Sequence, residues 1–153
     1  MSSEAPVTEP ALTTRDDFEV WIVHMDDALA EFFDQLPEDV RRSLDYAPRS
    51  LDSLERWLLD RYSSPQALLA PSESTMLDGA ARYVGETFRR TIGGRWTIDL
   101  DNKKNAYFGL PVLVGYRTPV AAMSLVTAST HRRIGAYLRT VLENTAADEQ
   151  SGA

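Results

Sequence analysis

The stretch from Met76 to Leu100 constrains the fold more than any other part of the chain. Apolar residues recur there at steps of three and four, which places them on one face of an α-helix; they are Leu77, Ala81, Val84, Phe88 and Ile92. Gly93 and Gly94 follow, and glycine supplies the positive φ angles that helix C-caps favour. Apolar and polar residues then alternate, as in a half-buried strand. The stretch predicts a helix that turns directly into a strand.

The first half of the chain predicts three more helices. An apolar stripe over residues 18–36 predicts one helix of about five turns, which Thr14 and Asp17 begin as a capping box. Pro37 suits the first turn of a second helix, and Ser50 the N-cap of a third. The third helix is expected to turn its charges to water and its apolar side chains inward; these are Leu51, Leu54, Leu58 and Tyr62.

The second half predicts a small sheet and a closing helical segment. Residues 101–105 are typical of a turn, and the β-rich run after them is interrupted by Gly109 and Pro111. We therefore expect a three-stranded antiparallel meander. The segment after Pro119 has helical spacing and forms one helix, or breaks into two at Ser129-Thr130 or at Gly135. The fold class predicted is helix-dominated α+β, with a small antiparallel β-meander packed against helices.

The predicted organisation is a single domain with short ends. Residues 1–13 contain few large apolar groups and residues 146–153 contain none, and they are expected to be a disordered arm and a disordered tail. The domain spans residues 14–145, with an acidic helical half (14–70) and a helix–hairpin–helix half (71–145). No disulfide or thiolate chemistry is expected, because the chain has no cysteine. The absence of a signal peptide or an apolar run long enough for a membrane span predicts a cytoplasmic protein without a membrane partner.

Charge is distributed unevenly. Residues 1–60 carry fifteen carboxylates and five arginines, whereas residues 61–142 carry five carboxylates and eleven basic residues. The favoured interpretation is that the two halves neutralise each other across the fold. The alternative is that one of them contacts a charged partner.

Catalytic and metal motifs are not apparent. The two histidines, His24 and His131, lie far apart, and the sequence contains no GxSxG, HExxH or P-loop pattern. His24 lies near the first apolar stripe and is interpreted as a packed or bordering residue rather than a base. Asp99 and Asp101 imitate the start of a calcium loop, but the glycine and the final glutamate are missing, so a plain turn is preferred. We predict no catalytic residue, no metal and no cofactor.

Charged and aromatic residues near the double glycine form the candidate binding site. Arg82, Glu86 and Arg90 repeat every four residues, which is typical of a solvent-exposed helix face. The functional alternative is a partner-binding or ligand-binding site next to the Gly-Gly turn. Its candidate residues are Glu86, Arg89, Arg90, Arg95, Trp96 and Tyr107.

The run ARYVGETFRRTIGGRW, followed by a hairpin, resembles a loose group of small uncharacterised bacterial domains. In that group a Gly-Glu-bearing helix ends in Gly-Gly-x-Trp before a small sheet, and some members look like immunity or secretion-accessory proteins. The residues that carry the resemblance are Gly85, Glu86, Gly93, Gly94 and Trp96. The resemblance implies a similar fold for this chain, and it implies no catalytic residues.

Three functional hypotheses follow. The first is a non-enzymatic, immunity-like or accessory domain that binds another protein through its acidic helices or through the basic edge around Arg89. The second is a small enzyme or ligand-binding domain with a pocket between sheet and helices, using Glu86, Arg89, Tyr107 or His131. Nucleic-acid binding through Arg132, Arg133 and Arg139 is disfavoured by the overall acidity. The pattern predicts no particular oligomeric state.

Overall fold

The computed structural model describes residues 9–151; residues 1–8 of the predicted arm and residues 152–153 of the predicted tail lie outside them. Helices dominate the described chain, and its sheet is small and antiparallel, so the predicted fold class is confirmed. The helices are α1 (Arg15–Val23), α2 (Met25–Asp34), α3 (Glu38–Ser43), α4 (Ser50–Arg61), α5 (Pro65–Leu68), α6 (Ser74–Ile92), α7 (Ala122–Arg132) and α8 (Tyr137–Ser151). The strands are β1 (Arg95–Thr97) and β2 (Val112–Val114).

The long first helix is bent rather than continuous. His24, at φ −86° and ψ 10°, ends α1 and precedes α2. The backbone hydrogen bond from the His24 amide to the Val20 carbonyl is retained at 3.0 Å. Thr14 caps α1 as predicted, because its hydroxyl accepts the Asp17 amide at 3.0 Å. The buried stripe of the two helices is Phe18, Trp21, Met25, Leu29 and Phe32, and Leu36 just after α2 continues it.

Helix α6 is the centre of the fold. The predicted face is buried except for Ile92, which is partly exposed, and most of the opposite face is buried as well. The reason is that α2 and α7 both pack against α6. Gly79 permits the approach of α2, since a Cβ at this position would lie 2.5 Å from the Phe32 ring. The expectation that Arg82 and Glu86 belong to a solvated face is therefore wrong; their exposures are 4% and 9%.

The Gly-Gly junction is built as the sequence predicts. Gly93 ends α6 at φ 79°, and Gly94 follows at φ 102°. Across the junction, the Tyr116 hydroxyl donates to the Gly93 carbonyl at 2.5 Å. Burial raises the pKa of Tyr116 to about 12, so this hydroxyl keeps its proton at neutral pH.

The sheet is smaller than the predicted meander. β1 pairs antiparallel with β2, with Trp96 opposite Leu113, and the third strand is reduced to a single bridge between Leu113 and Val120. Pairing stops there because Gly115 turns the chain at φ 114° and Pro119 has no amide hydrogen to donate. The segment 101–105 forms a turn, as expected, in which the Asp99 carboxylate accepts backbone amides.

The last segment forms two helices, the second alternative that the sequence leaves open. Arg133, at φ 54°, ends α7, and Gly135 follows at φ 96°. Helix α8 then continues to Ser151, where the sequence predicts a disordered tail from residue 146. Packing of Leu138 and Leu142 in the core forms the first turns of α8, and a formed helix extends easily through alanine-containing sequence.

A buried carboxylate joins the two halves of the chain. Glu55 of α4 has no exposed surface, although the charges of this helix are expected to face water. Its Oε2 accepts the amides of Gly135 and Tyr137 at 2.7 and 3.1 Å, and its Oε1 accepts the amide of Leu138 at 2.8 Å. The carboxylate is buried because it satisfies the otherwise unpaired amides at the start of α8.

Candidate functional site

A cleft of about 390 Å³ lies between the first two helices and the junction of α6 with β1. One wall comes from α1 and α2, in which residues 19, 22, 23 and 26 share a helical face that continues across the bend at His24. The other wall contains three of the six predicted site residues. The cleft is lined by Phe18, Glu19, Ile22, Val23, Met25, Asp26, Glu86, Arg89 and Trp96.

Trp96 is held in the cleft wall by the residues of the Gly-Glu pattern. A Cβ at Gly85 would overlap the six-membered part of the indole, so only glycine lets the ring lie against α6. The indole Nε1 donates to Glu86 Oε2 at 3.0 Å. The Trp21 ring meets Trp96 edge-on, with 4.9 Å between ring centroids. These contacts give Trp96 a fixed position and leave it half-buried.

The charges of Glu86 and Arg89 satisfy each other. Arg89 NH1 donates to both carboxylate oxygens of Glu86, at 3.1 and 3.0 Å, and Arg89 Nε reaches the Gly94 carbonyl at 3.4 Å. Glu86 thus accepts from an arginine and a tryptophan together. The pair holds the α6–β1 junction in place, and it offers no unmatched charge to a ligand.

Arg82 supports the cleft from behind. Its Nε donates to Asp78 at 2.7 Å, and its NH1 donates to the Trp21 carbonyl at 2.8 Å. Its guanidinium carbon lies 4.1 Å from the centroid of the Trp21 ring. Asp78 also accepts the Trp21 indole N–H at 2.8 Å. This buried cation fixes Trp21, which in turn contacts Trp96.

The other three predicted site residues lie elsewhere. Arg90 stacks on the Tyr46 ring at 3.6 Å, and Arg95 is exposed on β1. Tyr107 lines a separate cleft of about 330 Å³ beside α7 and α8, together with Tyr137. The predicted cluster of Arg89, Arg90 and Arg95 therefore does not converge on one ligand.

The residues of the enzyme hypothesis are also separated. Glu86 and Arg89 line the first cleft, whereas neither Tyr107 nor His131 is part of its wall. His24 is a border residue rather than a packed one, since 59% of its side chain is exposed and its Nδ1 lies 3.9 Å from Asp27. Among the described residues, no three side chains of the metal-binding types are grouped to hold an ion.

Sequence reasoning missed the α1–α2 wall of the cleft. Glu19 and Asp26 accept no hydrogen bond and form no ion pair within residues 9–149. Between them lies Val23, which is 77% exposed. The helical spacing of residues 19, 22, 23 and 26 places them on one face, but it does not indicate that this face lies opposite Trp96.

No protein-family model, no curated protein and no solved structure matches this chain. The resemblance to small immunity-like or accessory domains therefore stays a prediction. In the described part of the chain, no helix is both long and apolar enough to cross a membrane.

Proposed function

We propose that this chain is a non-enzymatic, cytoplasmic protein-binding domain of the immunity-like or accessory kind, and that its α1–α2 surface and the adjoining cleft contact the partner. The supporting observation is an acidic helix pair whose carboxylates pair with no arginine or lysine of residues 9–149, next to a cleft that exposes apolar side chains.

Helices α1 and α2 are strongly acidic. Residues 15–34 contain seven carboxylates and one arginine. Within residues 9–149, no arginine or lysine lies within ion-pair distance of these carboxylates. The ion pair that does link the acidic and basic halves is Arg139 with Asp52, at 2.9 Å. The α1–α2 surface therefore keeps a strong negative potential, which attracts cationic partners and accelerates their association.

The same surface exposes apolar side chains. Val20 and Val23 are 56% and 77% exposed and lie on successive turns of α1. A single exposed valine needs no explanation, but Val23 lines a cleft that also contains Ile22 and Trp96, and Val20 lies one turn before it. Protein interfaces commonly combine an apolar or aromatic centre with a charged rim. The α1–α2 surface has that composition.

Site-specific photo-crosslinking tests the proposal. A photo-reactive amino acid replaces Val23 in one variant and Ile134 in the other; Ile134 is comparably exposed, at 64%, and does not line the cleft. We expect one defined protein to crosslink from position 23 in cells that produce the chain, and to bind the chain when both are purified. The absence of a product at position 23, or identical products from both positions, would overturn the proposal.

A further inference from the structure

We propose that the segment of the partner that enters the cleft is cationic: an arginine or lysine side chain pairs with Glu19 or Asp26, and an apolar neighbour of that residue packs on Ile22 and Val23. This inference rests on the proposed function, and it specifies the chemistry of the partner.

The charged side chains that line the cleft indicate the sign of the charge that a ligand carries. Four charged side chains line it, and Arg89 is bonded to Glu86 and to the Gly94 carbonyl. The positive charge of Arg89 is thus already paired with the carboxylate of Glu86, so the two together present no net positive charge to a partner. Glu19 and Asp26 remain without hydrogen bonds or ion pairs in residues 9–149. The cleft therefore attracts a cation, and this favours the acidic helices over the basic edge around Arg89 as the binding surface.

The size of the cleft and its apolar wall indicate that the cationic residue of the partner has an apolar neighbour. A volume of about 390 Å³ is small among ligand pockets, which span roughly 300–1,000 Å³, and it suits one or two side chains of a partner. Ile22 and Val23 lie between the two free carboxylates on the same helical face. A cation paired with either carboxylate would bring its neighbouring residue over these apolar side chains. A polycation without an apolar side chain, such as spermidine, lacks that neighbour and would leave the exposed Val23 side chain in contact with water.

The test uses two synthetic peptides of equal length, one of arginine and leucine and one of glutamate and leucine, each titrated by fluorescence anisotropy. The cleft variant carries Glu19→Gln and Asp26→Asn. Its matched control carries Glu31→Gln and Asp34→Asn, which removes the same charge from exposed positions of α2 outside the cleft. We expect the arginine peptide to bind the wild type and the control alike, and the cleft variant at least about tenfold more weakly. The glutamate peptide is expected not to bind.

Several results would overturn the inference. Equal weakening in both double variants would show that the diffuse field of the helices, and not the cleft, attracts the peptide. Competition by spermidine at the same concentration as the peptide would show that charge alone suffices. A dimer of the chain that the cleft variant abolishes would assign the cleft to a second copy. If position 23 crosslinks a partner but the arginine peptide does not bind, the chemistry inferred for the partner fails and the proposed function stands.

Discussion

Replacing Glu55 with alanine is expected to lower the free energy of unfolding by about 4 kcal/mol. Three backbone amides at the start of α8 donate to this fully buried carboxylate. Each hydrogen bond to a charged group contributes roughly 1.5–3 kcal/mol, and amides left unpaired in the core add a desolvation penalty. For a chain of this length the melting temperature should fall by roughly 10 °C, measured by circular dichroism.

Two further variants separate capping from other effects of the Glu55 substitution. Glu55→Gln keeps one oxygen acceptor and should show an intermediate loss. Asp60→Ala removes an exposed carboxylate from the same helix and should change the free energy by no more than about 0.5 kcal/mol. A loss below about 1 kcal/mol for Glu55→Ala would mean that α8 does not depend on the carboxylate.

Replacing Gly94 with valine is expected to lower the free energy of unfolding by about 3 kcal/mol. Gly94 has a φ of 102°, where a side chain is strained and a β-branched one more so. Its Cβ would overlap the Tyr116 hydroxyl and lie 3.0 Å from the Val114 carbonyl oxygen. The substitution would therefore strain the backbone and also displace Tyr116 from the Gly93 carbonyl. Urea denaturation measures the loss.

Gly93→Ala is the matched control for the Gly94 variant. Gly93 also has a positive φ, of 79°, but a Cβ there would meet no atom within 4 Å. Only the conformational term remains, on the order of 1–3 kcal/mol, because the ψ of −158° places Gly93 in a backbone region that is essentially restricted to glycine. Equal losses for Gly94→Val and Gly93→Ala would show that contact with Tyr116 and Val114 contributes nothing at the junction.

The elements that the sequence predicts well are those whose periodicity matches their burial. Leu51, Leu54 and Leu58 of α4 are fully buried, as their spacing indicates. The sequence does not predict the burial of Glu55, because charged side chains of α4 are expected to face water. Yet Glu55 lies one position after Leu54 and three before Leu58, on the same helical face. A carboxylate at an inward-facing position is the signal that could have identified it as a cap for another helix.

The sequence predicts one wall of the candidate site but not the other. The Gly-Glu helix and the Gly-Gly-x-Trp junction bring Glu86, Arg89 and Trp96 together through local sequence. The opposite wall lies some sixty residues earlier in the chain, and no periodicity within α1 reveals that it faces Trp96. The burial of Arg82 is likewise not predicted. Its spacing indicates that α6 buries a single face, whereas α2 and α7 together cover more of the helix.

The most direct test of a partner-binding cleft is the dissociation constant of the purified complex with the crosslinked partner. We compare Val23→Arg with Ile134→Arg, which adds the same charge at an exposed position outside the cleft. Because Val23 is 77% exposed, the first variant should keep its melting temperature. It should bind at least about tenfold more weakly, since it removes apolar contact and adds repulsion to a cation, while Ile134→Arg binds as the wild type. Unchanged affinity for a correctly folded Val23→Arg variant would contradict the account and place the partner on another surface.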